Sequence, residues 1–468
     1  MSTTTLDIAP YLSQKSKLWK ACGIRGLFPL ENIPGMISLL AGRPNPSTFP
    51  FESITMKLKP DLAGMPAPTE GIDPFLITME GDELQEALQY GMTAGVPRFI
   101  SWLENFQTHV HKRVADGTWS VTVGSGSQDL ILAIGIGAYL MKTMQACEAL
   151  TDEGDYVLLE TPVYAGTLGF MAALPGTLIE VNADSQGLNP VHLESILSKW
   201  EFTHPGKPFP KLLYTIPSGS NPTGASIPEA RKIRVQVFFI LALELAKKYN
   251  FLILEDDAYA FLYYGPEGQQ ARSYFALEGE VNGEIGRVVR FDSFSKVLSS
   301  GMRLGYMTAP PVLAAAVNMI TSNTNLQPAT LTQVMAYKVL SRWGIEGFLA
   351  HCKGVAATYR ARRDAFERVA RKHLDGLGEW TTPVAGMFLY IKVHPTTDTD
   401  SAALIGGKAV EKGVLAVPGT SFMPLGGKTP YVRVSFSLIE EGPADEACRR
   451  LAEAVLEARE ELARAGAR

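Results

Sequence analysis

Cysteine is scarce in this chain: four in 468 residues, at positions 22, 147, 352 and 448, with no C-x-x-C pair. That spacing builds neither a disulfide framework nor a thiolate zinc site, and it points to reduced thiols in a cytosolic protein. Histidine is sparse too, seven in all, and only His109 and His111 lie close together, so no metal is expected. Basic blocks are missing, and a net charge of −5 leaves no basic stripe for nucleic acid. The longest apolar run, residues 130–141, contains two glycines and falls short of the roughly 18 to 20 residues that span a bilayer. Residues 1–19 carry neither a basic stretch followed by an apolar core nor the arginines of a transit peptide, so no targeting segment is expected. A nucleotide P-loop, G-x-x-x-x-G-K-[ST], is absent.

What is present is enough apolar sequence, 46% against 19% charged, for a large core, in a chain long enough for two domains. Apolar runs at 121–123, 156–159, 178–181, 212–216, 251–254, 288–291 and 304–307 alternate with helical stretches. That alternation predicts an α/β fold with a mostly parallel, seven-stranded sheet covered by helices. Past residue 311 strands mix with helices, which predicts a smaller α+β domain. The expected division is an N-terminal segment, 1–75, covering the site and joining the small domain, then a large domain, 76–345, and a small domain, 346–468.

In such sheets ligands bind beyond the carboxyl ends of the strands, and the chemistry-bearing residues cluster there. Val288, Val289 and Phe291 end a strand, and Ser293, Ser295 and Ser299 then flank Lys296, with Arg303 seven residues on. A buried ammonium is costly unless its pKa falls or its charge is used. An imine to pyridoxal phosphate beside a Ser/Ser/Arg anion site uses it, and a Ser-rich turn around a half-buried lysine is the plain alternative. Gly124-Ser-Gly-Ser-Gln128 stands between strand and helix, as a phosphate cradle or a simple turn. Glu255, Asp256 and Asp257 end another strand, where carboxylates need a cation, and Tyr259 follows. A protonated pyridine nitrogen meets that need; a helix cap or a magnesium site are the alternatives, the second lacking its P-loop. Asn221 sits in the rigid turn Ser-Gly-Ser-Asn-Pro-Thr-Gly, with scope for a cis Asn–Pro bond. Tyr164, after another strand, can stack on a flat cofactor or merely pack. Arg433, between Val432 and Val434, suits a planar carboxylate or a structural salt bridge.

N-P-T-G at 221–224, D-x-A-Y at 256–259 and S-x-S-K-x4-G-x-R at 293–303, in this order and spacing, resemble the fold-type-I pyridoxal-phosphate enzymes, class I/II aminotransferases, over roughly residues 20–460. Leu88-Gln-Tyr90-x4-Gly95, residues 41–50, Gly126-Ser-Gln128 and Ser435-Phe-Ser437 resemble the kynurenine/2-aminoadipate and fungal aromatic-amino-acid branch. The resemblance implies that Lys296 is the Schiff-base lysine and proton shuttle, that Asp256 pairs with the pyridinium, and that Tyr164 stacks on the ring. It further implies that Tyr259 and Asn221 hold the ring oxygen O3′, and that Ser127, Gln128, Ser293, Ser295 and Arg303 hold the phosphate. Tyr90 resembles a tyrosine that reaches the neighbouring subunit's phosphate, which implies a homodimer with shared active sites. Arg433 is implied to bind the substrate α-carboxylate, and Gly42 lies on the segment covering the substrate. Arg25 and Arg43 are alternative partners for a distal carboxylate, or surface charges.

The implied activity is a ping-pong transfer of the amino group of phenylalanine, tyrosine or tryptophan, with kynurenine as a further donor, to 2-oxoglutarate, in the cytoplasm. A 2-aminoadipate aminotransferase, or a lyase or decarboxylating enzyme on the same fold, are the alternatives. A DNA-binding regulator would need a winged-helix module that residues 1–75 cannot supply. One departure from the family is the helix expected over 228–250, whose 235–243 run is unusually apolar.

Overall fold

A computed structural model describes residues 3–20, 27, 30, 33–37, 39–40, 42–59, 73, 75–131, 149–232, 242–393 and 400–466. Its main sheet runs in the order Ser120–Gly124, Gly305–Ala309, Val288–Ser293, Leu252–Asp256, Leu212–Thr215, Tyr156–Thr161, Thr177–Asp184 and Gly187–Leu188. Seven of these are the strands marked by the apolar runs. The eighth is a two-residue edge that turns back antiparallel. Gly305–Ala309 is antiparallel to both neighbours, and the remaining pairings are parallel. Every residue of Leu212–Thr215 and Leu252–Asp256 is buried. Because successive side chains point to opposite faces, unbroken burial means that both faces are covered.

A second, antiparallel sheet joins Gly378–Glu379, Phe388–Val393, Tyr431–Ser435 and Val417–Pro418. Leu389, Ile391 and Val432 from this sheet form a separate core with Phe366 and Leu374 of the helix Thr330–Leu374 and with Leu451 and Val455 of the helix Glu441–Gly466. The helix Thr330–Leu374 serves both cores: Val334 through Cys352 belong to the larger, Ala356 through Leu374 to the smaller. It breaks at Gly344, whose φ of 67° is non-helical and favours glycine. Residues 3–20 join the larger core rather than the small sheet, through Ile8, Tyr11 and the pairing of Thr4–Thr5 with Glu284–Ile285.

The helix expected over 228–250 is seen as Glu229–Lys232 and Ala242–Tyr249, with 233–241 outside the described residues, as are 132–141 of the longest apolar run. Among the described residues no helix is long and apolar enough to cross a membrane. No group of three or more His, Cys, Asp or Glu among them could hold a metal ion.

Alternation at the end of the Leu252–Asp256 strand places Glu255 and Asp257 on one face and Asp256 on the other. Behind the sheet, Arg290 lies beside Glu255 in the ladder. Its guanidinium donates to Asp257 at 2.9 Å and to Asp292 at 2.7 and 3.0 Å, and lies 3.3 Å from Glu255. All four side chains are buried. Replacing Arg290 with Met leaves three buried carboxylates facing one another, so urea denaturation should show a loss of about 3–5 kcal/mol. A loss below about 1 kcal/mol would show that the guanidinium is not their counter-charge.

Candidate active site

Asp256, at the carboxyl end of its strand, is only 7% exposed. Its Oδ2 accepts the Tyr214 hydroxyl at 2.7 Å, while Oδ1 has no partner among the described residues. Burial pushes the carboxyl up to about 6; the Tyr214 hydrogen bond opposes the rise, Asp257 and Asp292 add to it, and Lys296 opposes it. Tyr214 is itself anchored through its hydroxyl to Thr167 at 3.0 Å.

Lys296 ends the short turn Phe294–Lys296 that follows the Val288–Ser293 strand. Burial lowers its pKa and Arg303 lowers it further, against the pull of Asp256. Its amine lies 5.8 Å from the centre of the Tyr259 ring, and among the described residues no hydrogen bond or ion pair holds it. An amine short of partners and a carboxylate oxygen without one among the described residues thus lie close enough to perturb each other's pKa.

The two Gly/Ser stretches meet. Arg303, in the left-handed region at φ 51°, donates to the carbonyls of Ser125 (3.3 Å) and Ser300 (3.2 Å) and to Ser295 Oγ (3.4 Å). A Cβ on Gly126, at φ 99°, would stand 2.6 Å from its guanidinium, so only glycine lets the two chains approach this closely. Ser293 Oγ accepts the Ser295 N–H at 3.2 Å. Ser127 opens the helix Ser127–Ile131, and Gln128 donates to the Gly166 carbonyl at 3.4 Å. Hydroxyls, a guanidinium and close-lying backbone make a cradle for a phosphate.

Asn221 is 5% exposed, in a turn whose Asn221–Pro222 bond is cis. The turn crosses the chain at Ala385 so closely that a Cβ on Gly219 would lie 2.6 Å from backbone atoms there. Arg433 Nη1 donates to Asn221 Oδ1 at 3.0 Å, and burial makes the Tyr259 hydroxyl less acidic. Tyr164 caps the helix Ala165–Met171 and lies over Gly166, where a Cβ would meet its ring at 2.4 Å. Tyr90, Gly42 and Arg43 are exposed, and Arg25 lies outside the described residues.

Two participants were not singled out from the sequence. Tyr214 reads as core within a buried strand; the available signal is that a buried phenol needs a partner. Glu160, 3% exposed beside the turn that carries Asn221, accepts the Thr215 hydroxyl and, at 3.1 Å, the Ile216 N–H. Burial pushes its carboxyl from 4.5 to about 7, with the Thr215 hydrogen bond opposing. The folded protein therefore holds a proton that the unfolded chain releases. The stability this contributes is complete below 4.5 and lost as pH rises through about 7. Unfolding free energies from urea titrations at pH 5 and pH 8 should differ less in Glu160→Gln than in the parent, by up to about 3 kcal/mol. An unchanged pH slope would refute it.

The sequence matches the family model for aminotransferase class I and II over residues 82–451. It is 47% identical over 447 residues to the aminotransferase tdiD of Emericella nidulans, covering 95% of both chains. It is 38% identical over 426 residues to the mitochondrial kynurenine/alpha-aminoadipate aminotransferase of Mus musculus, covering 90% of this chain and 92% of the mouse protein. The crystal structure of the aminotransferase Aro8 from Candida albicans superposes with a TM-score of 0.80 at 26% identity, over 98% of this chain and 99% of that one.

Proposed function

The chain belongs to the class I and II aminotransferases and is a pyridoxal-phosphate-dependent transaminase, and we propose that it moves the amino group of an aromatic amino acid to 2-oxoglutarate. The donors are phenylalanine, tyrosine or tryptophan, with kynurenine as a further one. The 38% identity to an enzyme named for kynurenine and alpha-aminoadipate supports a pocket that takes an aromatic side chain and an acidic one in turn. Arg43, exposed on the segment that would cover the substrate, or Arg25, meets the distal carboxylate of the acceptor.

The residues present fit the cofactor, and the observation that carries their assignment is the partnerless Oδ1 of buried Asp256. When bound, pyridoxal phosphate supplies an aldehyde that takes up amino groups and a protonated ring that draws electrons from the substrate Cα. Asp256 faces the ring nitrogen, Tyr259 and Asn221 hold O3′, and Tyr164 covers the ring. Ser127, Gln128, Ser293, Ser295 and Arg303 hold the phosphate. Arg433 grips the substrate α-carboxylate, a bidentate match for a guanidinium. Lys296 is the amine that bonds the cofactor aldehyde. Burial and Arg303 lower its pKa, which favours the neutral amine that would take the proton from the substrate Cα.

Tyr90, 52% exposed, reaches from one protomer to the phosphate held by another in a homodimer. The chain divides at 1–75, 76–345 and 346–468; the core changes on the helix Thr330–Leu374 between Cys352 and Ala356, just past the second boundary. Buried, unpaired Cys352 and Cys448 suit a reducing, cytoplasmic compartment.

Initial rates with phenylalanine, tyrosine, tryptophan, kynurenine and 2-aminoadipate, each against 2-oxoglutarate, test the substrate class. The highest kcat/KM should fall to an aromatic donor, and a preference for 2-aminoadipate overturns that assignment. Donor alone should shift the cofactor absorbance once, and added 2-oxo acid should reverse the shift. Sustained turnover without an acceptor identifies a lyase instead. Lys296→Ala should lower the transamination rate by at least about 10²–10⁴-fold.

A further inference from the structure

Arg433 is held in an unusual way for a half-buried cation. Among the described residues no carboxylate lies within ion-pair distance of it. Among those residues its hydrogen bond goes to the neutral amide oxygen of Asn221, and its Nε has no partner. Two phenyl rings orient it instead. Its Cζ lies 4.6 Å from the centre of the Phe388 ring and 5.1 Å from that of Phe422. Both rings are buried.

They come from different elements. Phe388 opens the strand Phe388–Val393, opposite Ser435, so it shares with Arg433 one face of the small sheet. Its ring also stands edge-on to Tyr259 at 6.2 Å and 84°. Phe422 ends the turn Gly419–Phe422, and its carbonyl accepts the Val163 N–H at 2.9 Å, next to Tyr164. Each ring is therefore fixed independently, and each ties Arg433 to a neighbour of the cofactor residues.

A guanidinium is weakly hydrated and rests stably on aromatic faces, while its N–H groups point outward in its own plane. A carboxylate neighbour would fix the side chain equally well but would occupy those N–H groups and cancel the charge. Aromatic contacts do neither. We propose that Phe388 and Phe422 are positioning residues that hold the Arg433 guanidinium by its faces, leaving its charge and its N–H edge available for the substrate α-carboxylate. This deepens, and rests on, the assignment of Arg433 as the carboxylate-binding group.

The test compares matched ligands that differ only in the carboxylate. Binding of 3-phenylpropanoate and of 3-phenylpropanol to the holoenzyme is measured by calorimetry, for the parent and for Phe422→Leu, Phe388→Leu, Phe422→Tyr and Arg433→Gln. In parallel, kcat/KM is measured for phenylalanine and 2-phenylethylamine. Phe422→Leu and Phe388→Leu should each weaken the carboxylate ligand by about 3- to 30-fold and leave the alcohol unchanged. Phe422→Tyr, which keeps an aromatic face, should bind like the parent. The loss should appear for phenylalanine and not for the amine. Carboxylate binding that survives both leucine variants but not Arg433→Gln overturns the clamp alone. Discrimination that survives Arg433→Gln overturns the assignment of Arg433. Equal losses for acid and alcohol mean a collapsed pocket, and that also overturns the clamp. The two leucine variants stand in different elements, so misfolding of one leaves the other as the test.

Discussion

A carboxylate oxygen with no partner, at the end of a strand buried on both faces, is the constraint around which this structure is arranged. Isolated buried charge is expensive, and a group in that position either keeps its proton or meets a cation. Asp256 is such a group: desolvation raises its carboxyl to about 6, and among the described residues Tyr214 alone binds it directly. Its neighbours in sequence, Glu255 and Asp257, carry the same charge but face the other way, where Arg290 compensates them together with Asp292. Period-two alternation thus sorts a run of three acids into two that share Arg290 and one, Asp256, on the opposite face.

The other groups at the cavity answer to this arrangement. The Lys296 pKa is lowered because burial and Arg303 outweigh the upward pull of Asp256. Close approach of Gly126 and the Arg303 guanidinium brings together the residues that follow two different strands, the group proposed to hold the phosphate. The small sheet enters through Arg433, joined to Asn221 by a hydrogen bond and steadied by Phe388 and Phe422. A near-contact of Gly219 with the backbone at Ala385 locks the Asn221 turn to the chain that leads into that sheet. The site is therefore set by packing between two cores more than by any one loop.

Much of this was legible in the sequence because strand ends announce themselves: an apolar run stops and a Ser, Asp, Asn or Tyr follows. Lys296, Asp256, Asn221, Tyr259 and Arg303 all stand just past such stops, and the fold brings them together. Residues inside the runs were not legible. Arg290 hides in Val-Val-Arg-Phe and Tyr214 in Leu-Leu-Tyr-Thr, where only the three-dimensional register reveals a counter-charge and a hydrogen-bond donor. Phe388 and Phe422 look like ordinary core. The edge strand Gly187–Leu188 is too short to leave a pattern, and the packing of residues 3–20 on the larger core depends on contacts far away in sequence. Tyr90 and Arg43 lie on the exposed surface, where no apolar run marks them.

The central claim is that Asp256 is left without a cation so that a protonated ring nitrogen can supply one. Its most direct test is the dissociation constant of pyridoxal phosphate beside that of an analogue with the ring nitrogen replaced by carbon, each with the cofactor-free parent and with Asp256→Asn. The parent should favour the nitrogen ring by about a hundredfold or more, the scale on which a buried ion pair is lost, and the variant should bind the two alike. Equal affinity in the parent, or a preference that persists in Asp256→Asn, would contradict the account.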